Sequence, residues 1–283
     1  MQIIKDQEFG GERPLYCAKD LRIENVTIHL GESSLKEVRN IEAVDCKFEG
    51  KYLFWEAENF TIRHCVMEES ARSSIWYSRN MIMEDTLIKA PKFFRDMQGA
   101  VLRNVDIPNA QETCWNVKDF TLENCRIANA DYLFVFGQDI KIKDYHQDGN
   151  YSFQHAKNVE IRNAVLNSKD ALWDSDNVTV YDSEINGEYL AWYSRNLRLV
   201  NCHITGTQPL CYCENLVLEN CTMGDDADLA FEYSSVEATI KGHVVSVKNP
   251  KSGFITADSI GEIILDGNIK APGNCRISSA SNA

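Results

Sequence analysis

Three side chains, His155, Asp174 and Tyr193, follow one another at intervals of 19 residues. An imidazole, a carboxylate and a phenol in one neighbourhood can act as a base, its orienting partner and a hydroxyl donor. Two indoles, Trp173 and Trp192, stand one residue before Asp174 and Tyr193. Three more, Trp55, Trp76 and Trp115, occupy the same place in similar segments: LFWEAEN, SIWYSRN and TCWNVKD. Flat apolar rings beside directed polar groups suit a sugar, which needs stacking and hydrogen bonds together. The plainer readings compete. The tryptophans can be an aromatic core ladder, and the polar row a solvated edge.

What brings residues 19 apart into one place is a repeat. The unit is DFTLENCRI at Asp119–Ile127. Close copies are NLRLVNCHI, NLVLENCTM, NFTIRHCVM and DLRIENVTI. Unit starts fall at Asp20, Asn40, Asn59, Asn80, Gly99, Asp119, Asp139, Asn158, Asn177, Asn196 and Asn215. A period of about 19–20 residues with alternating apolar positions describes stacked coils of strand. Adjacent coils sit ~4.8 Å apart, so His155, Asp174 and Tyr193 become neighbours.

Each coil reads in three pieces. A short strand places Leu21/Ile23, Phe60/Ile62 or Leu197/Leu199 inward, with polar residues between. A corner follows at Asn25, Asp45, His64, Asp85, Asn104, Asn124, Asp144, Asn163, Asp182, Asn201 and Asn220. Asn and Asp tolerate left-handed backbone there, and in register their side chains form ladders. The second piece runs from a Cys/Val row to a small-residue corner such as Gly31 or Gly206, where glycine supplies positive φ. The third piece is expected to be a strand interrupted by a bend. Its buried rows, Phe54 and Ala57 for example, are three apart, which breaks strict alternation. The bend turns Trp173 with Asp174, and Trp192 with Tyr193, outward together.

The expected fold is all-β: a single-domain right-handed parallel β-helix of roughly 13 coils over residues 1–283. Residues 1–19 form an N-terminal cap and partial coil, and 20–223 the regular coils. Residues 224–270 form longer C-terminal coils, with starts at Glu237 and Glu262, and 271–283 a frayed tail. A leucine-rich repeat fits less well, because the third piece offers no helical stripe. The leader Phe9, Gly11, Glu12, Arg13 and the NLRLVNC-type repeats resemble a bacterial family described only as a domain of unknown function. That resemblance implies a right-handed β-helix of the pectate-lyase type and transfers no catalytic residue.

Lys+Arg number 29 against Asp+Glu 42, a formal net charge of −13. This excess of acid argues against nucleic acid and against an anionic membrane surface as partners. MQIIKDQEFGG shows no signal-peptide pattern, and ten cysteines without one are expected as thiols in the cytoplasm. Cys46, Cys65, Cys125, Cys202 and Cys221 share one repeat position, a packing row. Cys202 and Cys221 lie on a different row from Cys211 and Cys213, so these four make no zinc site. No metal and no cofactor are expected. Three functions remain. The first is binding of a carbohydrate or similar polyhydroxylated ligand by Trp173, Trp192, Asp174, His155 and Tyr193, with Trp55, Trp76 and Trp115 as further platform candidates. The second is a saccharide lyase or hydrolase using His155, Asp174 and Tyr193. The third is a non-enzymatic scaffold. The sequence leaves open whether the protein is an enzyme, whether the tryptophan row is buried, and its oligomeric state.

Overall fold

The structure is a computed structural model that describes residues 1–266 and 273–279. The chain divides into two compact units, Met1–His146 and Gln147–Ala283. Each unit is a parallel β-helix, and no helix occurs among the described residues. None is therefore long and apolar enough to cross a membrane.

In the first unit, Gln2–Lys5, Lys19–Glu24, Arg39–Val44, Glu58–Arg63, Arg79–Glu84, Gln98–Arg103 and Lys118–Ile127 pair in succession, all parallel. The register is the sequence repeat itself: Ile41 pairs with Phe60, Phe60 with Met81, Met81 with Ala100 and Ala100 with Phe120. Alternation points these columns inward. Phe60, Phe120, Ile62 and Leu122 are all buried. Phe54 stacks on Phe60 with centroids 5.3 Å apart, and Phe120 packs edge-on against Phe94 and Phe134. Each fully buried ring of this kind stabilises the fold by roughly 1.5–3 kcal/mol. In the second unit Lys157–Asn167, Asp176–Tyr181, Arg195–Val200 and Leu216–Met223 pair the same way, with Val159, Val178 and Leu197 in one column.

The corner residues have the backbone their types permit. Asn25, Asp45, His64, Asp85, Asn104 and Asn124 all have φ between 48° and 55°, a region open mainly to Gly, Asn, Asp and His. The unit starts share it: Asn59 and Asn80 at 55° and 57°, with Gly99 at 75°. Side-chain ladders join successive coils. Asn124 donates to Asn104 at 2.8 Å and Asn104 to Asp85 at 2.8 Å; Asn177 donates to Asn158 at 2.8 Å.

The third piece corrects the expectation of a strand with one bend. It contains turns, and every second residue is left-handed: Tyr52, Phe54 and Glu56 have φ of 59°, 51° and 55°. Their amides bond to neighbouring coils, Tyr52 to Arg72 O, Phe54 to Ser34 O and Glu56 to Trp76 O. Left-handed backbone costs a residue such as Phe54 or Ile75 about 1–2 kcal/mol. Complete burial of both side chains offsets it. The small row behind the turn tidies the backbone: Ser78 donates to Phe54 O at 2.6 Å and accepts from Ala57 N at 3.0 Å.

Two further expectations change. Gly31 is glycine because of close approach, not positive φ: a Cβ there would lie 1.9 Å from Gly11 O. Gly206, at φ 100°, does need left-handed freedom. At the C-terminus Glu262 starts no coil. It pairs with Ser246 inside Ser252–Ile264, and that strand's Phe254 pairs with Glu237, only 17 residues earlier (254 − 237). Arg276–Ser279 pairs with Phe254–Ala257 in place of a frayed tail. The expectations for 267–272 and 280–283 lie outside the described residues.

The corner geometry yields a test. Asn124→Ala is expected to lose roughly 1–2 kcal/mol in urea unfolding, because alanine resists left-handed backbone. Asn124→Gly is expected to lose less, since glycine gives up only an exposed hydrogen bond. Equal losses would put the effect in the ladder and not in the backbone.

Candidate functional site

The alternating turn throws two consecutive side chains outward in coils such as those of Trp173–Asp174 and Trp192–Tyr193, and the parallel register lines them up. In the second unit the rows are Trp173 and Trp192, and His155, Asp174, Tyr193, Tyr212 and Tyr233. The indoles are half-buried and reach the surface. Trp192 Nε1 donates to Gln208 O at 2.7 Å. Trp173 and Trp192 have centroids 5.5 Å apart with planes 30° from parallel. Tyr193 and Tyr212 stack at 4.8 Å, and Tyr212 and Tyr233 at 5.7 Å. Tyr193 also meets Trp173 at 5.4 Å.

At these separations the stacked rings cover one another's faces. What they turn outward is edges and, for tyrosine, the polar tip. The row is therefore a ribbed apolar wall and not a flat two-ring platform.

His155 and Asp174 come together, with Nδ1 and Oδ2 3.0 Å apart. Arg195 Nη1 donates to the other carboxylate oxygen of Asp174 at 3.0 Å, and its Nε lies 3.8 Å from Asp176 Oδ2. Burial pushes the Asp174 carboxyl up. Hydrogen bonds from His155 and Arg195, with their charges, outweigh that and hold it below the usual aspartate range. An ionised carboxylate only accepts, so the His155 proton on this contact belongs to Nδ1. Tyr193 joins through its ring contacts.

Trp173, Asp174, Tyr193, Arg195, Tyr212 and Glu214 line one cavity of about 390 Å³. Arg195 and Glu214 were not singled out in the sequence. They occupy the position just before each unit start, a charged row that also holds Arg79 and Asp176. Tyr212 follows Tyr193 in its row, with Cys211 beside it in place of a tryptophan. Asp170, four residues before Asp174, has its carboxyl raised by burial and is not among the cavity residues.

In the first unit Trp55 and Trp76 stack at 5.2 Å with planes 12° apart. Arg95 takes the next place, its guanidinium 4.4 Å from the Trp76 centroid and 4.6 Å from that of Trp115. Lys36 Nζ sits 5.9 Å from the Trp55 ring. Ring nitrogens are taken by backbone carbonyls, Trp55 by Ser73 O, Trp76 by Lys92 O and Trp115 by Tyr132 O. This ladder of rings and cations closes on itself, although Arg95 Nε is buried without a hydrogen-bond partner. The cysteine row Cys46, Cys65, Cys125, Cys202 and Cys221 is buried, and burial raises the Cys125 thiol to about 11.

The Asp174 pairing has a pH signature. Its folded pKa is depressed, so its contribution to stability is present above the ordinary carboxylate pKa and is lost as pH falls through the lowered value. A carbon-13 titration of Asp174 should place its midpoint below that of an unperturbed aspartate. The stability difference between the wild type and Asp174→Asn should shrink over the same acid range. A midpoint at or above the ordinary value would mean that burial outweighs the two partners.

No curated protein matches the sequence. Solved structures similar to it include the A-module of a mannuronan C-5 epimerase from Azotobacter vinelandii, at 11% identity over 98% of this chain and 88% of that one, TM-score 0.40. Another is the tailspike protein of Escherichia coli bacteriophage HK620 in complex with a hexasaccharide, at 10% identity over 92% of this chain, TM-score 0.45; this chain spans 61% of the tailspike chain. A third is the surface protein and adhesin PfbA of Streptococcus pneumoniae, at 8% identity over 98% of this chain and 91% of that one, TM-score 0.33. Likenesses this remote carry no argument about ligand or reaction. Over residues 2–278 the sequence matches a single family along almost its whole length, and the chain belongs to that family, the proteins of unknown function DUF3737.

Proposed function

We propose that the protein binds a carbohydrate or a similar polyhydroxylated ligand in the cavity lined by Trp173, Asp174, Tyr193, Arg195, Tyr212 and Glu214. One observation carries the reading: three aromatic side chains and three charged ones from three successive coils border a single depression of about 390 Å³. Sugar rings present apolar C–H surfaces and a rim of hydroxyls. The apolar wall of rings makes dispersion contact with the first, and carboxylates and a guanidinium hydrogen-bond the second. Arg195 holds Asp174 in place, so the carboxylate is oriented before a ligand arrives.

The enzyme reading draws on the His155–Asp174 contact. Nδ1–H of His155 given to the Asp174 carboxylate is the arrangement of a base and its orienter. Asp174 itself, ionised and doubly paired, is a poor acid. Binding is therefore the simpler reading, and product formed from a bound oligosaccharide would move the protein to the other.

The test is calorimetric titration with a broad panel of soluble oligosaccharides. At least one is expected to bind, and Tyr193→Ala and Asp174→Ala to weaken it by roughly tenfold or more while the circular dichroism spectrum is unchanged. Absence of binding across the panel, or variants that bind as the wild type does, would overturn the proposal.

A further inference from the structure

The charges bordering the cavity are unbalanced, and the imbalance selects among saccharides. Arg195 is the one basic side chain in the lining. Its guanidinium is already divided between Asp174 at 3.0 Å and Asp176 at 3.8 Å. Glu214 also lines the cavity and has no ion-pair partner among the described residues. Of the lysines in the coils that follow, Lys248 pairs with Glu232 at 3.0 Å, and Lys241 and Lys251 are not among the residues lining the cavity. A second depression, of about 330 Å³, begins at the next residue, Asn215. Ser235, Glu237 and Ser252 line it with Asn215, and no Lys or Arg does. The linings of the two depressions are adjacent in sequence at Glu214 and Asn215, and each contains one glutamate, Glu214 in the first and Glu237 in the second.

We infer that the ligand is an amino sugar oligomer, whose ammonium groups pair with Glu214 and Glu237. This rests on the saccharide-binding reading above and narrows it. An ammonium donates charge-assisted hydrogen bonds to a carboxylate, stronger than those of a hydroxyl. A uronic acid meets Glu214 and Glu237 with no unengaged cation in either lining to receive it, against the acidic balance of the chain, −13 overall. The hydroxyls remain for Asp174 and the ring edges for Trp173, Tyr193 and Tyr212.

Three tetramers separate the possibilities: fully deacetylated glucosamine, its N-acetylated counterpart and galacturonate, titrated at a pH where the amine is protonated. The deacetylated tetramer is expected to bind roughly tenfold more tightly than the acetylated one. The gap should narrow in Glu214→Gln and with added salt, which screens exposed charges. Equal affinity for the acetylated tetramer, or tighter binding of galacturonate, would overturn the inference and leave saccharide binding standing. A gap that survives in Glu214→Gln would remove Glu214 from the assignment. No binding of any tetramer would count against both readings.

Discussion

The structure depends on left-handed backbone at fixed places in every coil. One such residue opens the first strand and another closes it, Asn59 and His64 in one coil, Asn177 and Asp182 in another. Each turns the chain sharply while leaving its amide free to bond to the next coil, as His64 N does to Glu84 O and Asp182 N to Val200 O. Because the same turn recurs at the same place, the coils are congruent. Congruent coils stack in parallel register, and register is what carries a side chain at one position onto its counterpart 19 to 21 residues away. The core columns, the Asn ladders and the outward rows are all consequences of that one constraint.

How much of this is visible in a sequence depends on whether a conformation has a chemical preference. The corners were legible because Asn and Asp favour left-handed backbone and bond their neighbours, so they recur. The inward columns were legible from alternation. The third piece was not, because its left-handed positions hold Phe54, Ile75 and Leu172, residues that no turn preference selects. Burial and inter-coil hydrogen bonds impose the conformation, and neither is a local property. Gly31 shows a related limit, since a close approach to Gly11 O looks the same in sequence as a need for positive φ.

The candidate site was legible in part for the same reason. Equal spacing brought His155 beside Asp174, and the structure has them in hydrogen-bond contact. Spacing says nothing of ring orientation. Trp55 on Trp76 and Tyr193 on Tyr212 face each other, so the rows form stacks of rings. Arg195 reaches the cavity from the first residue of its strand and Glu214 from an isolated bridge beside it, in a row of charges that nothing in the spacing sets apart. A repeat protein writes its core many times and its site once, so a site residue has no second copy to draw attention to it.

The two units use their outward rows differently. In the first, Arg95 fills the space between Trp76 and Trp115 and the stack closes on itself. In the second, Asp174, Arg195 and Glu214 border open space beside the rings. That contrast is the ground for placing a ligand at one and a structural stack at the other. The most direct measurement is a crystal structure of the protein grown with a saturating oligosaccharide. The account predicts ligand density in the Trp173–Glu214 cavity, with hydroxyls or amines on Asp174 and Glu214 and carbon edges against Tyr193 and Tyr212. Density along the Trp55–Trp76 row with that cavity empty would contradict it.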